Sequence, residues 1–129
     1  MIEVTLPFPP SANHIWRWFR GRVVVSTEGK RFREEVYWLL RAAQVKPLDG
    51  AIVFHVEVHP PDRRRYDLDN RLKTLIDACQ HGGCYDDDNQ IVHITAEKRE
   101  PVPGGKAVVR IDACRSRGET SDPAPVAED

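Results

Sequence analysis

Asp67 and Asp69 stand two residues apart, just after the run Arg63, Arg64, Arg65, and a second acidic group, Asp86, Asp87 and Asp88, follows further along the chain. Hard carboxylate oxygens of this kind hold Mg²⁺ together with water and phosphate oxygens. A bound Mg²⁺ lowers the pKa of its water, orients it for in-line attack and stabilises charge on a phosphate, and two ions about 3.5–4 Å apart can divide these tasks. One carboxylate of the second group joining Asp67 and Asp69 would make a centre for phosphodiester hydrolysis. In extended backbone an interval of two turns both side chains to one side. Lys73, four residues after Asp69, would share its side of a helix and act as a charged clamp on a phosphate oxygen or leaving group. Plainer roles fit the same residues. Asp69 suits the N-cap of a helix, Lys73 suits salt bridges to Asp69 and Asp77, four residues away on either side, and residues 86–88 suit a solvated turn. Composition and spacing do not choose between the two readings.

Basic residues gather near these acids. Arg17, Arg20, Arg22, Lys30, Arg31 and Arg33 crowd one short region against Glu28, and Arg63, Arg64 and Arg65 lead into Asp67. They suit a solvated face, and equally a surface that holds DNA phosphates, which positions a duplex without reading its sequence. Trp16, Trp18 and Phe19 are interleaved with Arg17 and Arg20. Such rings stack on unpaired bases, or pack in a hairpin or subunit interface. His14, His55, His59, His81 and His93 have no metal-ligand spacing, so zinc chemistry is not expected, and His55 reads as part of one strand face.

The elements that must position these groups follow from periodicity. Residues 2–6 alternate apolar and polar as a strand, ended by Pro7, Pro9 and Pro10. Residues 15–20 and 22–26 flank Gly21 as a short hairpin. Phe32, Val36, Leu39, Leu40 and Ala43 form the stripe of a helix over 30–44, with Ser26 or Thr27 capping the turn before it. Ile52, Phe54, Val56 and Val58 line one face of a strand over 51–59. A second helix near 70–80 carries Leu68, Leu72, Leu75, Ile76 and Cys79, with Gly82 and Gly83 as its exit. Strands near 91–98 and 107–113 flank a Pro-Val-Pro-Gly-Gly turn. The expected fold is α+β: a single small domain in which two helices pack on one face of a mixed β-sheet.

A chain of 129 residues has room for one core. The expected domain is 1–115, followed by an acidic tail, 116–129, whose Ser, Pro, Asp and Glu content predicts disorder. The formal charge is −1. The tail contributes net −3, so the body is modestly basic, short of the bias that marks a nucleic-acid binder by itself. The N-terminus lacks the pattern of a signal peptide, and no run is long and apolar enough to span a membrane. Cys79, Cys84 and Cys114 suggest reduced thiols in a cytosolic protein, with Cys79 and Cys114 packed in the core.

Four segments together carry a family likeness: LPFPPSAN (6–13), GRVVVSTEGKRFR (21–33), DRRRYDLDNRLKTLIDA (62–78) and YDDDNQIV (85–92). In this order they resemble the RusA family of Holliday junction resolvases over most of residues 3–113. The resemblance implies a Mg²⁺-dependent endonuclease, encoded by a bacterium or phage, that acts as a homodimer with two active sites and cuts opposing strands of four-way DNA junctions. It assigns catalysis and metal binding to Asp67, Asp69 and Asp88, with Lys73 as a further catalytic group. Asp88 is chosen over its neighbours by the frame Asp87, Asp88, Asn89, Gln90. Asn13, Asn70 and Asp87 become supporting residues, and Arg17, Arg20, Arg22, Lys30, Arg31, Arg63, Arg64 and Arg65 the contacts to DNA. Tyr66 departs from the pattern where the basic run would continue, and Asp86 where an apolar residue would be more typical. Three competing functions are a noncatalytic structure-specific DNA-binding module, a protein-interaction domain using the Trp-rich segment, and a broader nuclease of flaps or duplex.

Overall fold

The computed structural model describes residues 1–12 and 16–114, with the side chains of all of these except 16 and 17. Asn13, the Arg17 side chain and the acidic tail lie outside the described residues. The alternation in residues 52–59 places β4 (Ile52–His59) at the centre of the sheet, with Ile52, Phe54, Val56 and Val58 all buried. β6 (Lys106–Ala113) pairs antiparallel with β4, and β1 (Ile2–Leu6) antiparallel with β6. β5 (Ile91–Lys98) pairs with the other side of β4 in parallel. The sheet order is therefore β1-β6-β4-β5, a mixed sheet with β5 at one edge.

A parallel neighbour requires a crossover, and α2 (Leu68–His81) supplies it between β4 and β5. The start of β5 consequently lies near the C-terminal end of α2, and its finish near the N-terminal end, where Lys98 Nζ donates to the Tyr66 carbonyl at 3.0 Å. α1 (Thr27–Ala42) packs beside α2, and Phe32, Val36 and Leu40 join Leu75, Ala78 and Cys79 over the strand residues in one core. A side chain on Gly82 would meet Leu40 Cδ1 at 2.5 Å, so glycine permits this close approach of the helices. Arg33 of α1 also donates to Asp77 of α2 at 2.7 Å. The α+β architecture agrees with the sequence pattern.

Local differences have local causes. α1 starts three residues before the expected helix because Ser26 Oγ accepts the Gly29 amide at 3.1 Å, making Ser26 the cap of the helix itself. Leu39, expected in the apolar stripe, is exposed, because only the side carrying Phe32, Val36 and Leu40 meets the sheet. The hairpin pairs β2 (Trp16–Phe19) with β3 (Arg22–Val25) through Arg20 and Gly21, at φ 54° and 76°. Two successive left-handed residues give the turn twist that suits paired strands. Cys114 is exposed rather than packed, while Cys79 and Cys84 are buried side by side. A hydrogen bond donated by the Cys79 thiol to Cys84, together with burial, pushes the Cys79 thiol well above its usual pKa. Among the described residues no helix is long and apolar enough to cross a membrane.

Candidate active site

Asp67, rather than Asp69, is the N-cap of α2. Its Oδ1 accepts the Asp69 amide at 3.1 Å and its Oδ2 accepts Asn70 Nδ2 at 3.1 Å. The helix begins at Leu68, so Asp69 falls in the first turn, where a carboxylate is favoured by the unpaired amides and the helix dipole. Only Asp67 retains extended backbone, at φ −94° and ψ 110°. The pair thus sits across a loop-to-helix transition instead of sharing one face of an extended segment. Both carboxylates are exposed.

Lys73 is exposed one turn further along α2. Among the described residues it forms no salt bridge: Asp77, one of its expected partners, is held by Arg33. Lys73 is therefore available to an incoming anion. Arg63, Arg64 and Arg65 are exposed just before Asp67. Arg64 is folded back onto Asp62 at 3.1 Å, and the Arg64 backbone amide, followed by its side chain, holds the Asp62 carboxyl below the usual range. Arg20, Arg22, Lys30 and Arg31 are exposed on the hairpin and α1. The guanidinium of Arg20 lies 5.3 Å from the Phe19 ring centroid.

Asp88 opens a 3₁₀ turn, Asp88–Gln90, that leads into β5. Asp87 caps it, accepting the Asn89 amide at 2.9 Å, and Gln90 Oε1 accepts the amides of Asp86 and Asp87 at 2.9 and 3.0 Å. Gln90 Nε2 donates to the carbonyls of Leu48 and Gly50 at 2.9 and 2.8 Å. Gln80 of α2 ties the same loop down, accepting the Asp88 amide and donating to the Asp86 carbonyl, each at 3.2 Å. Below it Tyr85 is buried, its hydroxyl donating to the Ile76 carbonyl at 2.7 Å, and burial, followed by Cys79 and Cys84 and then by Asp88 and Asp77, raises its pKa.

These anchors separate the three aspartates. Asp88 is held against Gln80, whereas Asp69 lies eleven residues earlier in α2, about 16 Å along the axis. Among the described residues, a single chain does not bring the donor atoms of Asp67, Asp69 and Asp88 together. It does bring His55, Glu57 and Glu97 together, with donor atoms within 4.8 Å of one another. The sequence reading missed this potential metal-binding cluster. His55 and Glu57 share a strand face by their spacing, but Glu97 joins them only through its parallel pairing with Glu57. Arg99 already supplies a cation there, 3.6 Å from Glu57 and 3.4 Å from Glu97, and the Glu57 charge is the largest influence raising its pKa.

The model of the family described as endodeoxyribonuclease RusA matches residues 7–112. The chain belongs to the RusA family. It is 38% identical over 110 residues to the crossover junction endodeoxyribonuclease RusA of Escherichia coli strain K12, covering 84% of this chain and 92% of that relative. The RusA of Shigella sonnei strain Ss046 is also 38% identical, and that of enterobacteria phage 82 is 37% identical, over the same shares. RusA membership makes the chain a nuclease by homology and covers the DLDN turn, the arginine run before it and the Asp88 loop.

Proposed function

We propose that this RusA-family chain is a Mg²⁺-dependent endonuclease that resolves four-way DNA junctions by paired phosphodiester hydrolysis on opposing strands, as a homodimer in the cytoplasm of a bacterium or phage-infected cell. The observation that carries this reading is the head of α2, where exposed Asp67 and Asp69 follow exposed Arg63, Arg64 and Arg65 within the family match. Relatives named crossover junction endodeoxyribonucleases support the substrate class.

Three exposed carboxylates have the donor chemistry that Mg²⁺ prefers, and Asp67, Asp69 and Asp88 would hold it. When bound, the ion supplies an acidified water and stabilises charge on the phosphate. Asn70 orients Asp67 through its 3.1 Å hydrogen bond, while Asp87 and Gln90 shape the backbone that presents Asp88. Lys73 contacts a non-bridging phosphate oxygen, and Arg63, Arg64 and Arg65 hold the neighbouring phosphates.

The separation along α2 calls for a second copy. β5 is an edge strand with apolar Val92 and Ile94 59% and 45% exposed, an arrangement that suits pairing with another chain. Antiparallel pairing of two β5 edges would set the Asp88 end of one strand beside the Lys98 end of the other. Lys98 reaches Tyr66, next to Asp67, so Asp88 would approach the second copy's Asp67 and Asp69. Two-fold symmetry then yields two equivalent sites.

The test compares a four-way junction, a flap and a linear duplex at fixed salt, with and without Mg²⁺. Paired cuts in the junction that require Mg²⁺ are expected, and Asp67→Asn, Asp69→Asn or Asp88→Asn should each lower cleavage at least about 100-fold while junction binding persists. Binding without turnover would indicate a DNA-binding module. Equal cutting of flap or duplex would indicate a broader nuclease.

A further inference from the structure

Among the described residues, two buried side-chain polar atoms lack a hydrogen-bond partner: the Tyr66 hydroxyl and Arg71 Nε. Both side chains line the same cleft, of about 260 Å³, together with Phe8, Pro61, Arg64 and Arg65. Folded proteins leave few such atoms unmet, because their lost hydration has to be replaced. Two in one cleft point to a partner supplied from outside the chain.

The cleft's shape suggests which partner. Phe8 and Tyr66 meet edge to face, with ring centroids 5.5 Å apart, and Pro61 adds another rigid apolar wall. Arg71 is fixed in place: its guanidinium lies 4.9 Å from the Phe8 centroid and its Nη1 donates to the Pro9 carbonyl at 2.9 Å. The Tyr66 hydroxyl is a hydrogen-bond donor. Arg65 brings positive charge to the cleft, whereas Arg64 is paired there with Asp62, which also lines it, at 3.1 Å; Tyr66 is the residue just before Asp67. Apolar walls, buried donors and neighbouring cations are what a nucleotide needs: walls and donors for the base, cations for its phosphate.

We propose that this cleft is a subsite for a single unstacked nucleobase of the DNA strand, next to the phosphodiester that the Asp67 site cuts. The inference rests on the branched-DNA nuclease reading and deepens it. The Tyr66 hydroxyl and Arg71 Nε–H meet an acceptor on the edge of the base. Both atoms are sealed from solvent in the free chain, so the base reaches them as the side chains of the cleft repack around it.

A thermodynamic cycle between base and side chain tests the subsite. Wild-type cuts are mapped on a four-way junction in Mg²⁺, and each of the two nucleotides on either side of the cut is replaced in turn by an abasic analogue. Cleavage is measured for wild type, Tyr66→Leu and Tyr66→Phe, with a thermal midpoint for each. At one position, loss of the base should lower wild-type kcat/KM about fivefold or more. The same loss should cost Tyr66→Leu no more than about twofold, because the contact is already gone. Tyr66→Phe keeps the ring, should melt at a higher temperature for lack of the unmet hydroxyl, and should change which base is preferred at that position.

Base loss that costs Tyr66→Leu as much as wild type, or that matters at no position, would overturn the subsite while leaving the nuclease reading standing. Should the leucine variant fail to fold, an unchanged base preference in Tyr66→Phe would overturn it as well, leaving the cleft to an ordered water. A wild-type protein that cuts no junction would overturn both readings.

Discussion

The Gln90 carboxamide accepts two backbone amides from the acidic loop and donates to two carbonyls in the segment before β4, so one side chain joins the Asp88 loop to the body of the sheet. Gln90→Ala should lower stability by about 1–3 kcal/mol in urea unfolding, since water replaces only part of these bonds. It should also lower kcat more than it raises KM for junction cleavage, because it displaces Asp88 without touching the arginines proposed to bind phosphates. The sequence reading used the Asp87–Gln90 frame only to choose Asp88 and missed the capping box that this spacing allows. The bonds to Leu48 and Gly50 were not legible there, since they join segments about forty residues apart. Asp67 and Asp69 were placed correctly at a helix start but with Asp69 as the cap, because an aspartate at either position fits the same sequence pattern.

At the scale of elements, both helices, the central strand and the hairpin could be read from periodicity and turn residues, because those signals act over a few neighbours. The parallel pairing of β4 with β5 could not, and it decides the geometry of the proposed site by sending the two acidic groups to opposite ends of α2. The same pairing leaves β5 as the edge proposed to join two copies. An antiparallel pair of β5 strands centred near Ile94 brings residue 94 of each copy face to face, at a separation a disulfide can bridge. In a Cys114→Ser background, which removes the exposed native thiol, Ile94→Cys should form a covalent dimer on mild oxidation, as seen by non-reducing gel. Exposed Trp38 on α1 provides the control: Trp38→Cys should link far more slowly, and equal rates would argue against the β5 edge.

For the whole molecule, a formal charge of −1 conceals a net −3 in residues 116–129 and a modestly basic remainder, with arginines before Asp67 and on the hairpin and α1. Family membership could be read from the motifs. Assembly could not, because no pattern within one chain says which ends of two copies meet. The most direct test of the shared site mixes protomers carrying Asp69→Asn with protomers carrying Asp88→Asn, each inactive alone. If the site is built from two copies, one of the two sites in every mixed dimer has all its aspartates intact, and random mixing should restore Mg²⁺-dependent nicking to about a quarter of the wild-type level. A mixture that stays inactive, with mixed dimers demonstrated by pull-down through a tag on one partner, would contradict the account.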